Sequence, residues 1–469
     1  MSSADRQLMH RVEHIHFIGV GGAGMSGIAE VMCNLGYQVS GSDTHASKVT
    51  ERLAGVGLGF MLGHAPANVD RADVVVYSSA IGADNVELKA ARARRIPVVP
   101  RAEMLAELMR FRHGIAIAGT HGKTTTTSLI ASVLAEAGLD PTFVVGGLVR
   151  SINAHARLGA GRYIVVEADE SDASFLLLQP LMAVLTNVDA DHMATYDGDF
   201  SVLKAAFVEF FRRLPFYGVA CVCLDDEHAA SLIDDIHARV ITYGFAQESD
   251  VRGYDLRHVD GREHFRVACK FAPVDSEFVL NLPGEHNVQN ALAAIAVGLE
   301  LGIEISAIQR ALERFEGIAR RCQVHPDIRI GAHRVTLVDD YGHHPRELDA
   351  VLRTIRRRWP QRRLVAVFQP HRYSRTRDLL DDFASVLSRT DVLVLLEVYA
   401  AGEVSIAGAD GRSLARAIRT RGQVEPVFVA EPRAVLAALA GLVREDDIVA
   451  MLGAGNIGHI AEEIVACGA

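Results

Sequence analysis

Residues 115–127 read Ile115-Ala116-Ile117-Ala118-Gly119-Thr120-His121-Gly122-Lys123-Thr124-Thr125-Thr126-Thr127. An apolar run of strand composition turns at glycine and enters a stretch free of Pro and Gly that predicts a helix over 123–137. A strand, a glycine turn and a helix in that order aim backbone N–H groups and the positive end of a helix dipole at one point, which makes a cradle for phosphate. Lys123 would reach the terminal phosphates, and the Thr124 hydroxyl offers an oxygen to a magnesium ion. Gly119, Thr120, His121, Gly122 and Thr125 complete the loop. Ile117 stands where the general GxxxxGK[ST] pattern has its first glycine, so the reading leans on the strand-turn-helix context.

The same alternation of apolar run, turn and amphipathic segment occurs in three stretches of the chain, which predicts an α/β fold with parallel sheets. The 469 residues allow about three domains. The first, 1–110, has expected strands at 14–20, 38–41 and 74–77 and is Rossmann-like. The second, 111–318, is a P-loop domain with strands at 114–118, 163–166 and 182–185. Alternating residues over 250–282, around Asp260-Gly261, add a small antiparallel part. Helices at 285–301 and 305–315 close it. The third, 319–469, is again Rossmann-like, with strands at 335–338, 364–368, 392–396 and 448–452 and a helix at 345–359.

Composition narrows the function. Hydrophobic residues make up 49% and charged residues 23%, as in ordinary globular proteins. The 48 Lys+Arg against 58 Asp+Glu leave a net charge of −10, which argues against a surface built to hold nucleic acid. Six scattered cysteines without CxxC pairs fit a reducing compartment. No apolar leader or membrane span is legible, so a cytoplasmic enzyme without membrane insertion is expected.

Three further constellations carry chemistry. Glu167, Asp169, Glu170 and Asp172 crowd the end of the strand at 163–166, where clustered carboxylates call for a cation. His192, after Asn187-Val188-Asp189-Ala190-Asp191, would reach the same edge, making Glu167 and His192 metal candidates beside Thr124. Gly19-Val20-Gly21-Gly22-Ala23-Gly24 followed by Asp43 is a dinucleotide fingerprint, and alone it suggests NAD. Physically, the Gly21, Gly22 and Gly24 loop and the Asp43 carboxylate suit any nucleotide diphosphate, with Ser78 and Ser79 placed for further phosphate or sugar contacts. His286, Asn287 and Asn290 share a helix face. In the third domain, Asp340 to Pro345 and Gln369 to Arg375 each follow a strand, and their His, Arg and Tyr residues suit a carboxylate-bearing substrate.

Taken in order, HFIGVGGAGMSGIA at 16–29, AGTHGKTTTT at 118–127, EADESDASF at 167–175, NVDADH at 187–192, GEHNVQNALAA at 284–294, DDYGHHP at 339–345 and QPHRYSRTRDL at 369–379 resemble the Mur ligases of peptidoglycan synthesis along essentially the whole chain. The resemblance implies a cytoplasmic ATP-dependent carboxylate-amine ligase of cell-wall biogenesis, with UDP-N-acetylmuramate in the first domain, ATP and Mg2+ in the second, and L-alanine at the third. By the same resemblance, Lys123 and Thr124 serve ATP and magnesium, Glu167 and His192 hold magnesium, and Asn287, Asn290, Arg321 and Asp340 contact nucleotide. Tyr341, His343, His371, Arg372 and Arg375 face the amino acid and the muramyl substrate, with His343 or His371 as acceptor of the amine proton. Phe207 stands where relatives that add later residues carry a carbamylated lysine. A monomer or weak dimer is expected. The competing readings are a relative that attaches a recycled tripeptide, an NAD-dependent oxidoreductase and a non-catalytic nucleotide-binding scaffold.

Overall fold

The structure, a computed structural model, describes residue 9 and residues 11–78, 80–150 and 154–468. Three sheets organise it. In the first, β1 (His14–Ile18), β2 (Gln38–Asp43), β3 (Gly59–Leu62), β4 (Val74–Tyr77) and β5 (Val98–Pro100) run in the order β3-β2-β1-β4-β5. Every pairing in it is parallel. The order reverses direction at β1, so the loop after β1 opens at the point where such sheets bind ligands.

The second sheet has ten strands: β6 (His113–Ala118), β7 (Thr142–Val149), β8 (Ala154–Arg157), β9 (Tyr163–Glu167), β10 (Met182–Leu185), β11 (Val219–Cys223), β12 (Arg239–Gly244), β13 (Val251–Val259), β14 (Arg262–Cys269) and β15 (Val274–Leu280), ordered β15-β14-β13-β12-β11-β10-β6-β9-β7-β8. Its centre is parallel, with β6 flanked by β10 and β9. Ile115, Ala116, Ile117 and Ala118 are wholly buried, as a strand covered on both faces requires. The turn between β13 and β14 has positive φ at both Asp260 (50°) and Gly261 (80°), the conformation a two-residue hairpin turn demands.

The third sheet comprises β16 (Gln323–Ile330), β17 (His333–Asp340), β18 (Leu364–Phe368), β19 (Val392–Leu396), β20 (Val427–Val429) and β21 (Ile448–Leu452), in the order β16-β17-β21-β18-β19-β20. Only β16 runs antiparallel, as an added edge on a doubly wound sheet.

By internal packing the chain forms two compact units. The first holds residues 1–257, 264–281 and 287–316, and the second holds 258–263, 282–286 and 317–469. The first two sheets lie within the first unit except for residues 258–259 of β13 and 262–263 of β14. No helix among the described residues is long and apolar enough to cross a membrane.

Candidate active site

The phosphate loop is built by β6 and the helix Lys123–Glu136. Gly119 adopts φ 124°, and a Cβ there would lie 2.2 Å from Thr186 Oγ1. Gly122 adopts φ 83°, and its Cβ would lie 2.6 Å from Asn290 Oδ1. Both positions therefore require glycine. The segment after β10 laces the loop in place. Asn187 Oδ1 accepts from His121 N at 2.8 Å, Asn187 Nδ2 and Thr186 Oγ1 donate to His121 O at 3.0 and 2.6 Å, and Asp189 N donates to Thr120 Oγ1 at 2.9 Å. His121 Nε2 lies 3.2 Å from Asp189 Oδ2. No side chain caps the helix and its first turn carries no acid. Its leading N–H groups are thus left to an incoming anion.

Lys123 lies folded back into this loop. Its Nζ donates to Gly119 O at 2.7 Å and to Glu170 Oε2 at 2.6 Å. Burial works to lower the ammonium's pKa, but the Glu170 and Asp169 carboxylates outweigh it and raise the value. Burial pushes Glu170 up to about 7 despite Lys123, and its Oε1 is buried without a hydrogen-bond partner.

Glu167, at the end of β9, is also pushed up by burial. Its carboxylate accepts from Gly146 N at 2.7 Å and from the Thr124 hydroxyl. Two of the three expected metal ligands therefore meet. His192 sits at φ 57° ahead of a short turn, Met193–Tyr196. That turn is tied to the acidic loop through Thr195 Oγ1 on Ser171 O at 2.7 Å and Tyr196 Oη on Glu170 O. Phe207, expected from the resemblance to stand where some relatives carry a carbamylated lysine, is wholly buried against Phe175.

Asn287 and Asn290 are buried on the helix Glu285–Glu300, where Asn290 Oδ1 accepts from Thr126 Oγ1 at 3.2 Å and Asn290 Nδ2 donates to Asn287 Oδ1 at 3.4 Å. For His286, one residue before Asn287, burial and then Arg321 lower the pKa to about 4.

In the first sheet, Gly21 N donates to Asp43 Oδ2 at 2.9 Å, so the acid expected to read a ribose also holds the glycine loop. Gly22 precedes the helix Ala23–Asn34, which again lacks a side-chain cap. Ser78 lies beside Gly19, and Ser79 falls outside the described residues. Arg101 packs on Gly24 and lies 3.6 Å from Asp169.

The second unit gathers the remaining candidates. Asp340, raised by burial, accepts from Cys322 N and Gly342 N at 2.7 Å each. The Tyr341 ring has the Arg320 and Arg321 guanidinium groups 5.2 and 5.3 Å from its centre. His343 and His371 have ring centres 5.8 Å apart, and His371 stacks on Tyr399. Arg375, buried, donates from Nη1 to His371 O at 3.3 Å. Arg372, at φ 72°, donates its N–H to Tyr399 O at 2.9 Å.

Sequence reasoning missed Arg101, Arg320 and Tyr399 as parts of these clusters, and missed the loop-holding role of Thr186 and Asn187. For the last pair a signal existed: Thr186-Asn187 directly follows a buried strand neighbouring the phosphate-loop strand.

Family models agree with this three-sheet organisation. The Mur ligase family catalytic domain matches residues 14–113, the Mur ligase middle domain 117–298 and the Mur ligase glutamate ligase domain 320–455. A UDP-N-acetylmuramate--L-alanine ligase of Halorhodospira halophila is 58% identical over 463 residues, covering 98% of this chain and 94% of that protein. The chain belongs to the Mur ligase family.

A second relative of this Mur ligase, the UDP-N-acetylmuramate--L-alanine ligase of Methylococcus capsulatus, is 56% identical over 456 residues, covering 97% of this chain and 96% of that protein. The crystal structure of the UDP-N-acetylmuramate-alanine ligase from Thermotoga maritima has a TM-score of 0.82 to it at 28% identity, with 97% of this chain and 98% of that one covered. The Mur ligase fold is thus a three-domain α/β architecture here as well. The Thr124 hydroxyl and the Glu167 carboxylate, joined by a hydrogen bond, are hard oxygen donors of the kind a divalent cation takes.

Proposed function

We propose that this Mur ligase joins the amine of L-alanine to the lactyl carboxylate of UDP-N-acetylmuramate, converting ATP to ADP and phosphate. The observation that carries the chemistry is the Lys123 ammonium held at an uncapped helix start beside the buried Glu170 carboxylate. The full-length likeness to two L-alanine ligases supports the choice of substrates.

A carboxylate does not react usefully with an amine at neutral pH. The lactyl carboxylate therefore first takes the γ-phosphoryl group of ATP, forming an acyl phosphate and releasing ADP. The amine nitrogen then attacks the acyl carbon, the C–N bond forms, and phosphate leaves with the C–O electron pair. Two anions meet in the first step. Lys123 exchanges Glu170 for the terminal phosphates, and the N–H groups at the helix start, Lys123 to Thr125, meet the remaining charge. Thr124, Glu167 and His192 would hold the Mg2+, which supplies further neutralisation of phosphate charge. In the second step the ammonium of alanine must lose a proton, and His343 or His371, whose rings lie 5.8 Å apart, would accept it.

Phosphate release measured across a panel of amines tests the proposal. Release should require both UDP-N-acetylmuramate and L-alanine. Release with L-alanyl-D-glutamyl-diamino-acid tripeptide in place of L-alanine would assign the recycling reaction instead. ATP consumption that is equal without the UDP-linked acid would overturn the ligase reading.

A further inference from the structure

Arg101 is the first residue of the helix Arg101–Met109 and directly follows β5. It therefore stands at the C-terminal edge of the first sheet, the edge that carries the Gly19 to Gly24 loop. Its side chain lies across the first turn of the helix Ala23–Asn34. A Cβ added to Gly24 would come within 3.0 Å of Arg101 Nη1 and 3.2 Å of its Cδ. Gly24 is thus the room that the arginine occupies.

A cation is the wrong charge for that place. The start of a helix is its positive end, and a guanidinium there is disfavoured unless an anion joins it. The carboxylate paired with it is Asp169 of the acidic loop, at 3.6 Å and with Asp169 38% exposed. That separation is too long for a hydrogen bond, so the pair is held by charge alone. A diphosphate placed at Gly21 to Gly24 would satisfy both the helix start and the planar guanidinium fork at once.

We propose that Arg101 is a substrate-binding residue that leaves Asp169 for the diphosphate of the nucleotide-sugar when that substrate binds. The inference rests on the reading of the glycine loop as the UDP-sugar site. Asp169 then competes with the substrate for one cation, so the two side chains act with opposite sign. Removing the arginine weakens binding, whereas removing the charge of Asp169 strengthens it.

Calorimetric titration with UDP-N-acetylmuramate and with UDP tests this on the whole protein. Arg101→Ala should weaken both ligands at least tenfold, Arg101→Lys should recover part of the loss, and Asp169→Asn should tighten both two- to fivefold. ADP affinity of the Arg101→Ala protein should stay within threefold of wild type, which a merely structural defect in the first unit would not allow. Wild-type affinity in Arg101→Ala, or weakening by Asp169→Asn, would overturn the proposal. A wild-type protein that binds ADP but neither uridine ligand would instead overturn the reading of the glycine loop, and the proposal with it.

Discussion

At the scale of single residues, Lys123 and Gly119 separate chemistry from architecture. Lys123→Ala removes a charge that acts on phosphate, and loss of one such preorganised group costs on the order of 3 kcal/mol in the barrier, about a hundredfold in rate or more. The fold should tolerate it. Glu170, already pushed up to about 7 by burial, goes neutral once its partner is gone and leaves no buried charge behind. Circular dichroism should therefore match wild type while phosphate release falls about a hundredfold or more; wild-type turnover in the Lys123→Ala protein would remove the assigned role. Gly119→Ala acts differently. Its Cβ would collide with Thr186 Oγ1 in a left-handed backbone conformation, so the loop must shift and nucleotide affinity should drop at least tenfold by titration.

At the scale of elements, the buried carboxylate of Glu87 shows how one helix start is fixed to the first sheet. Glu87 lies in the first turn of the helix Val86–Ala93 and is wholly buried. Its Oε2 accepts from Ser42 Oγ at 2.6 Å and lies 3.0 Å from His64 Nδ1, while Asn68 Nδ2 donates to Oε1 and His16 Nε2 stands 3.8 Å away. Burial would raise its pKa, yet His16, Ser42 and Asn68 bring it down to about 2 from 4.5. A depressed carboxyl stabilises the fold above its unfolded value and loses that contribution as pH falls through the folded one. Glu87→Gln should therefore cost on the order of 3 kcal/mol at pH 7. The deficit should narrow by about 1 kcal/mol at pH 3.5 in urea titrations. A deficit independent of pH would show that the contacts are steric rather than ionic.

Elements were largely legible in the sequence because strand and helix signals are local. The strands at 74–77, 182–185, 364–368, 392–396 and 448–452 match their expected bounds, and the Asp260-Gly261 turn marks the hairpin. The strand β16 was not legible, because Pro326 and a register shift between His325 and Ile328 break its alternation. The lacing of the phosphate loop by Asn187 was equally hidden. It joins positions 66 residues apart, and no local pattern encodes such a contact.

At the scale of the whole molecule, the two candidate nucleotide cradles, Gly19 to Gly24 and Gly119 to Thr124, fall in one compact unit, whereas the His343 and His371 pair belongs to the other. Each unit carries its own apolar core: Phe17, Phe175 and Phe207 are buried in the first, and Phe368 and Phe383 in the second. Separate cores license separate cooperative transitions, so thermal unfolding should resolve into two calorimetric steps. Ligands then act selectively. A ligand at a hundred times its dissociation constant stabilises the state that binds it by about 2.7 kcal/mol, and two ligands on one unit add. ADP and UDP-N-acetylmuramate should each raise the same step, the one in which hydrogen exchange reports loss of β1 and β6, and together they should raise it further. If ADP raised only the step that melts β18 and β21, the triphosphate could not be seated on Lys123, and the division of labour between the two units would be reversed.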